Sequence, residues 1–210
     1  MDNKYHFEEI LWEEGYKRIM GLDEVGRGCL SGPVVAAGVI LKPGTTLPFD
    51  VRDSKKIQLK ERKEFAEIIK REALFWSIQK CSPKVIDSIN ILNASIKAMQ
   101  KCADQPTATP DYLLIDGNRF GTTLIPHKCI IKGDDKSASI GAASILAKVY
   151  RDCLMKQLHK EFPQFGWNSN VGYPTKSHFK GLNSHGVTEH HRKSFRLRTS
   201  KIYKSPVDTK

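Results

Sequence analysis

The chain has 210 residues, 40% hydrophobic and 27% charged, a size that predicts one domain able to bury about 70% of its unfolded surface without disulfides or a structural metal. That balance excludes disorder, collagen and coiled coil as descriptions of the whole. The longest apolar run, Val34 to Leu41, falls far short of the ~20 residues that cross a bilayer. The acidic start (Glu8, Glu9, Glu13, Glu14) lacks the basic-then-apolar order of a signal peptide, so a soluble, cytoplasmic protein without membrane association is expected.

Net charge is +11, and from Tyr173 to Lys210 nine Lys and Arg stand against only Glu189 and Asp208. Such a surface attracts polyanions and releases counterions on meeting phosphates. A solvated basic tail with no specific partner is the plain alternative. Cys29, Cys81, Cys102, Cys129 and Cys153 form no Cys-x-x-Cys pair, which predicts reduced, mostly buried thiols.

In chain order, an amphipathic N-terminal stretch precedes Arg18 to Asp23, a short apolar run that breaks into Gly26-Arg27-Gly28. Val34 to Leu41 reads as a buried strand, ended by Lys42-Pro43-Gly44. Ser31-Gly32-Pro33 is the turn that lets these two strands pair like a hairpin. Asp53-Ser54 offers an N-cap for a helix through Arg71, and Ala73 to Gln79 has strand composition. Ser82-Pro83 opens a second helix to about Cys102, with Val85, Ile86, Ile89, Leu92, Ile96 and Met99 at mixed three- and four-residue spacing. Tyr112 to Asp116 is a short buried strand, Cys129 to Ile131 another, and a long helix runs from about Ser137 to Phe162. Beyond Pro163 the chain is rich in Gly, Asn, His and Lys and hardly periodic, which reads as a loop and short-helix extension over the site. Consecutive strands first, then alternation of strand and helix, predict an α/β domain with a mixed sheet.

The chemistry-bearing residues stand at element ends. Asp23 and Glu24 follow an apolar strand and precede a glycine-rich turn; Asp116 closes Leu113-Leu114-Ile115. Ligands of α/β sheets lie outside strand ends, where these acids could converge. Asp152 shares a helical stripe with Ile145, Lys148 and Met155, and a carboxylate there is costly unless paired. Clustered acids repel, and Mg²⁺, an oxygen-seeking cation, relieves them. Two ions about 3.5–4 Å apart activate water and stabilise the leaving oxygen in phosphodiester hydrolysis, so a basic protein with this cluster is a candidate nuclease. Each acid also has a bland reading: a turn former or cap for Asp116, a surface pair for Asp23-Glu24, a partner of Lys148 for Asp152.

Gly21-Leu-Asp-Glu-Val-Gly-Arg-Gly-Cys-Leu-Ser-Gly-Pro-Val-Val-Ala-Ala37 resembles the opening signature of bacterial ribonuclease HII. Four further segments fit that family in the same order: Asp53-Ser-Lys-Lys56; Leu113 to Gly117; Lys132-Gly-Asp through Ser144 to Asp152; and Gly172 to His178 with His191 to Phe195. The resemblance covers about Arg18 to Arg198. It implies a ribonuclease-H-like α/β fold, a mixed five-stranded sheet with flanking helices and a helical C-terminal extension. On that basis 1–17 is a short N-terminal extension, 18–162 the catalytic domain, 163–198 a substrate-binding extension, and 199–210 a basic tail whose order the sequence leaves open.

The implied activity is metal-dependent endonucleolytic cleavage of the RNA strand of RNA–DNA hybrids, and cleavage 5′ of single ribonucleotides in duplex DNA, leaving 3′-hydroxyl and 5′-phosphate ends. Asp23, Glu24, Asp116 and Asp152 resemble the acidic tetrad that holds Mg²⁺ or Mn²⁺, two ions once substrate is bound, with Asp152 tied to the second ion or to none before then. Gly26, Arg27 and Gly28 resemble the loop whose backbone meets the ribose 2′-hydroxyl, the group that distinguishes RNA from DNA; alone they would be an ordinary turn. Tyr173 matches a tyrosine that stacks on the deoxyribose after the ribonucleotide, though a lone tyrosine there is more often a packing anchor. Ser54, Lys55 and Lys132 match positions near substrate phosphates. Ser144 and Lys148 belong to the signature with packing or ion pairing as the alternative to contact, and His178 and His191 are expected in phosphate-contact or structural roles. Cys29 replaces a usual proline and Gly141 a frequent alanine, which predicts altered loop stiffness or helix packing. The short N-terminus argues against ribonuclease HIII, and the family implies a monomer. Two other readings stay in play: a non-catalytic hybrid binder, and a different nuclease of the same fold such as a junction resolvase.

Overall fold

The computed structural model describes residues 3–49, 51 and 58–197. A five-stranded sheet forms from β1 (Ile19–Val25), β2 (Val34–Leu41), β3 (Ala73–Cys81), β4 (Tyr112–Asp116) and β5 (His127–Ile130), in the order β3-β2-β1-β4-β5. β1 pairs antiparallel with β2, and β2 with β3, whereas β4 runs parallel to both β1 and β5. The sheet is therefore mixed, as expected.

β2 shows why this sheet has two covered faces. Val34, Ala36 and Ile40 pack with Ile86, Ala98 and Met99 of α3 (Pro83–Ala103). Val35, Ala37, Val39 and Leu41 pack with Ala66 and Ile69 of α2 (Leu59–Glu72) and with Ala142, Ile145 and Leu146 of α4 (Ala138–Glu161). Alternate residues of a strand point to opposite faces, so eight unbroken apolar residues demand a helix layer on each side. β1 follows suit: Met20 and Leu22 face α3, while Gly21 faces α4. A Cβ on Gly21 would stand 2.2–2.6 Å from the Ser139 and Ile140 backbone, so glycine lets the start of α4 lie directly on the strand.

α1 (His6–Glu13) covers that same end of α4. Glu8 is 1% exposed, and its Oε1 accepts from Ser137 Oγ (2.6 Å), Ser139 Oγ (2.6 Å) and the Ser139 N–H (2.9 Å). A carboxylate at a helix N-terminus satisfies orphan donors and complements the helix dipole. Leu11 of α1 joins Ile19, Leu114, Ile130 and Ile140 in a small core of its own.

Some boundaries differ from the sequence expectation. The proposed cap Asp53-Ser54 lies outside the described residues, and the helix begins at Leu59 after Gln58. β5 is shifted to His127–Ile130, because it is an edge strand set by its pairing with β4 rather than by apolar content. α3 is broken at Asn90 (φ 64°, ψ 168°), whose Oδ1 then accepts the Asn93 N–H at 3.0 Å and restarts the helix.

Past α4 come a 3₁₀ turn at Pro163–Phe165, then α5 (Trp167–Asn170) and α6 (Lys176–His185). They close over Met155 of α4 through Phe165, Trp167 and Leu182. All five cysteines are free, with Cys29, Cys81 and Cys102 buried. Gly141 sits under Val51, where a Cβ would come within 3.0 Å of the Val51 side chain and of the Asp134 carbonyl, so glycine suits this close approach. No helix among the described residues is long and apolar enough to cross a membrane.

Candidate active site

Parallel pairing of β1 with β4 sets Leu22 beside Ile115. One residue further along each strand stand Asp23 and Asp116, which the register thus brings side by side at the carboxyl ends of neighbouring strands. Glu24 follows on β1. These three acids line a single cleft of about 430 Å³ together with Asp134, and Lys132, Lys148 and Tyr173 complete its rim.

Local bonds hold each group in place. The Glu24 N–H donates to Asp23 Oδ1 at 2.7 Å, and Arg27 Nη1 donates to Glu24 Oε1 at 3.0 Å. Lys132 takes a left-handed backbone (φ 56°, ψ 48°), which turns the chain so that the Gly133 N–H reaches Asp116 Oδ1 at 2.6 Å. A non-glycine residue in that region stores strain, common where a site fixes its loop.

The electrostatics of the cleft are those of too many negative charges in too little water. Burial, the largest cause, and then the charges of Glu24 and Asp116 push the Asp23 carboxyl well above the usual carboxylate range; a hydrogen bond from Ser144 opposes the rise, and Asp134 adds to it. Burial also raises Glu24, offset in part by the charge and hydrogen bond of Arg27. Among the described residues no three His, Cys, Asp or Glu side chains enclose a common point in this arrangement. The donors lining the cleft are nonetheless the all-oxygen set that hard divalent cations take, and a cation there would remove the repulsion that burdens Asp23. The residues fit such an ion.

Asp152 is placed differently. It is buried on α4, and its carboxylate accepts from Lys148 Nζ at 2.8 Å and lies 3.5 Å from Arg62 Nη1 of α2. It does not line the cleft, whereas Lys148, one turn earlier, does. The pairing with Lys148 follows from helical spacing alone, whereas Arg62 is not legible in the sequence, because it arrives from a different helix. Asp134 also lines the cleft, although nothing in its sequence setting sets it apart from an ordinary surface acid. Ser144, left between packing and contact, supplies a hydrogen bond to Asp23.

The expected substrate residues fall around this centre. Gly28 adjoins the Tyr173 ring, since a Cβ on it would lie 3.8 Å from Tyr173 Cε1. Tyr173 is 39% exposed at the rim, and burial, with the neighbouring Cys29 next among the causes, raises its pKa above the ordinary tyrosine value. Ser54 and Lys55 lie outside the described residues. His178 and His191 are fully buried, and His178 Nδ1 lies 3.0 Å from the Tyr173 carbonyl; they support the Tyr173 turn from beneath and do not face the cleft.

A mixed sheet of this order, with acids at the ends of two parallel neighbouring strands and a helix layer on each side, is the ribonuclease-H-like fold. Solved structures agree: ribonuclease H2 from Pyrococcus horikoshii superposes with a TM-score of 0.72 at 20% identity, over 85% of this chain and 94% of that one. The ribonuclease HII of a PCNA complex from Archaeoglobus fulgidus gives 0.70 at 24% identity, over 88% and 98%. At the level of sequence, the Ribonuclease HII family model matches residues 20–199. Ribonuclease HII of Salinibacter ruber is 48% identical over 90% of this chain and 96% of its own, and that of Bacteroides thetaiotaomicron 51% over 84% and 88%. The chain belongs to the ribonuclease HII family, and it is a hydrolase with ribonuclease H endonuclease activity.

Proposed function

We propose that this enzyme cuts the RNA strand of RNA–DNA hybrids, and cuts 5′ of single ribonucleotides embedded in duplex DNA, with Asp23, Glu24 and Asp116 holding divalent cations. The supporting observation is the convergence of these three acids in one cleft, with Lys132 and Lys148 on its rim. Mg²⁺ or Mn²⁺, two ions with substrate in place, would supply an activated water and charge stabilisation at the leaving oxygen. A Mn²⁺ complex is known for a structural neighbour, Bst-RNase HIII.

The chain's own residues do the rest. Lys132 and Lys148 meet substrate phosphates as point charges. Asp152, held by Lys148 and Arg62, is the fourth acid, tied to the second ion once substrate is bound. The Gly26–Gly28 backbone meets the ribose 2′-hydroxyl, and Tyr173 packs on the sugar that follows, so the junction of RNA and DNA is what the cleft selects. Ser54 and Lys55 serve the phosphate track. Residues 18–162 act as the catalytic unit, 1–17 as a short N-terminal extension, 163–198 as the substrate-binding extension and 199–210 as a basic tail, in a cytoplasmic monomer.

The test is a labelled DNA duplex with one ribonucleotide, incubated with Mg²⁺ or Mn²⁺ beside an Asp116→Asn control. One cut on the 5′ side of the ribonucleotide, absent in the variant, is expected. Binding without cleavage under either metal would overturn the catalytic reading and leave a hybrid-binding protein. Cleavage confined to long hybrids would overturn the junction role of Tyr173.

A further inference from the structure

Two arginines, Arg151 of α4 and Arg192 of the C-terminal segment, have no exposed surface. A guanidinium out of water is costly unless its donors are satisfied. Every guanidinium hydrogen bond these two make among the described residues goes to a main-chain carbonyl. Arg192 donates from Nε to Gly32 (3.0 Å), from Nη1 to Arg27 (2.8 Å) and from Nη2 to Gly26 (2.7 Å). Arg151 donates from Nε to Pro33 (3.1 Å), from Nη2 to Ser31 (3.1 Å) and from Nη1 to Val171 (2.8 Å). The Arg192 N–H adds the Leu30 carbonyl at 2.9 Å.

Two side chains therefore fix the carbonyls of Gly26, Arg27, Ser31, Gly32 and Pro33 in the turn between β1 and β2. With those carbonyls drawn inward, the N–H groups of Gly26, Arg27 and Gly28 have no acceptor among the described residues. Successive main-chain donors of this kind form a concavity for a ligand oxygen. Gly26 has φ 92°, and a Cβ there would strike Arg151 Nε at 2.2 Å, so the turn and the guanidinium are shaped to one another. Arg192 is itself anchored from outside: Asp87 of α3 accepts the N–H groups of Lys193 (3.0 Å) and Ser194 (2.9 Å), and the Ser194 hydroxyl (2.7 Å).

We propose that Arg192, with Arg151 beside it, is a positioning residue for ribonucleotide recognition, holding the Gly26–Gly28 main chain in the pose that meets the 2′-hydroxyl. This rests on the reading of that turn given above. Discrimination between RNA and DNA is thereby delivered through the C-terminal segment, and the Asp87 anchor tunes it. The planar fork that reaches three separate carbonyls is specific to arginine; lysine's three N–H donors radiate from a single nitrogen.

The experiment is equilibrium binding, by fluorescence anisotropy with Ca²⁺ replacing Mg²⁺, to a DNA duplex with one ribonucleotide and to the all-DNA duplex of the same sequence. The wild type is expected to prefer the ribonucleotide duplex; absence of that preference would refute the reading of the turn, independently of Arg192. In Arg192→Gln the preference should fall by about tenfold, the worth of one well-made hydrogen bond, while affinity for the all-DNA duplex stays within about twofold. Arg192→Lys should recover part of it. A fall in both affinities at constant ratio would show a purely structural role and overturn the proposal. Should Arg192→Gln fail to fold, Asp87→Ala, a surface change, decides: a reduced ratio supports the clamp, and an unchanged ratio overturns it.

Discussion

His191 is the sharpest quantitative test of how the C-terminal segment is assembled. The Thr188 N–H points at His191 Nδ1 (3.0 Å), so that nitrogen is an acceptor and the ring proton sits on Nε2. Nε2 lies 3.2 Å from His178 Nε2, which also accepts from the Trp167 indole N–H at 3.2 Å. His178 must then carry its proton on Nδ1 and donate to the Tyr173 carbonyl. Both rings are neutral in this chain of bonds, and a further proton on His191 would sit on Nδ1 against the Thr188 N–H, with only the Thr188 hydroxyl (3.0 Å) left to accept it. Burial chiefly, then the charges of His178 and His190, lower the His191 pKa from 6.5 to about 4.

The sign follows. Above pH 6.5 both folded and unfolded states hold a neutral ring; as pH falls, the unfolded chain takes up the proton first, and stability drains until about pH 4. Between pH 7 and pH 5 the loss from this one group is about 2 kcal/mol, or roughly 4–8 °C in melting temperature for a chain of this size. His178, lowered mainly by burial, acts in the same direction, whereas Asp23 and Glu24, both raised, act in the opposite one. The informative quantity is therefore the difference between proteins. Thermal melting at pH 7 and pH 5 should show a smaller drop in His191→Gln than in the wild type, by about that amount. Equal drops within a degree would refute the neutral-pair assignment.

Two more outcomes follow from the same geometry. Because burial and neighbouring acids penalise ionised Asp23, Asp23→Asn should raise stability at pH 7 by about 1 kcal/mol, read by melting, while cleavage falls by about a thousandfold; a destabilised, active variant would contradict the site. Gly21→Ala drives a Cβ to within 2.2–2.6 Å of the Ser139 and Ile140 backbone, and should cost roughly 1–3 kcal/mol in urea unfolding; no change would mean that α4 shifts freely on β1.

Legibility in the sequence tracked how local each feature is. Val34–Leu41 and Tyr112–Asp116 were read with their observed bounds, because full burial on both faces leaves an unbroken apolar run. β5 was misplaced by two residues at its start, since His127 and Lys128 are exposed and only backbone pairing makes them a strand. The break at Asn90 leaves no mark in the sequence pattern, because apolar spacing on both sides remains helical. At the site, Asp23, Glu24 and Asp116 announced themselves as acids at strand ends. Arg62, Arg151 and Arg192 did not, since each is meaningful only through partners brought from distant segments: Asp152, the turn at 31–33, and the carbonyls of 26–27. A buried arginine has no periodic or compositional signature; its role exists only in the fold.

The central claim is that the acids of β1 and β4 form one divalent-cation site. Calorimetric titration of Mn²⁺ into the wild type and Asp116→Asn tests it most directly. The account predicts saturable binding to the wild type and an affinity at least about tenfold weaker in the variant. Equal binding to both proteins would place the metal elsewhere and contradict it.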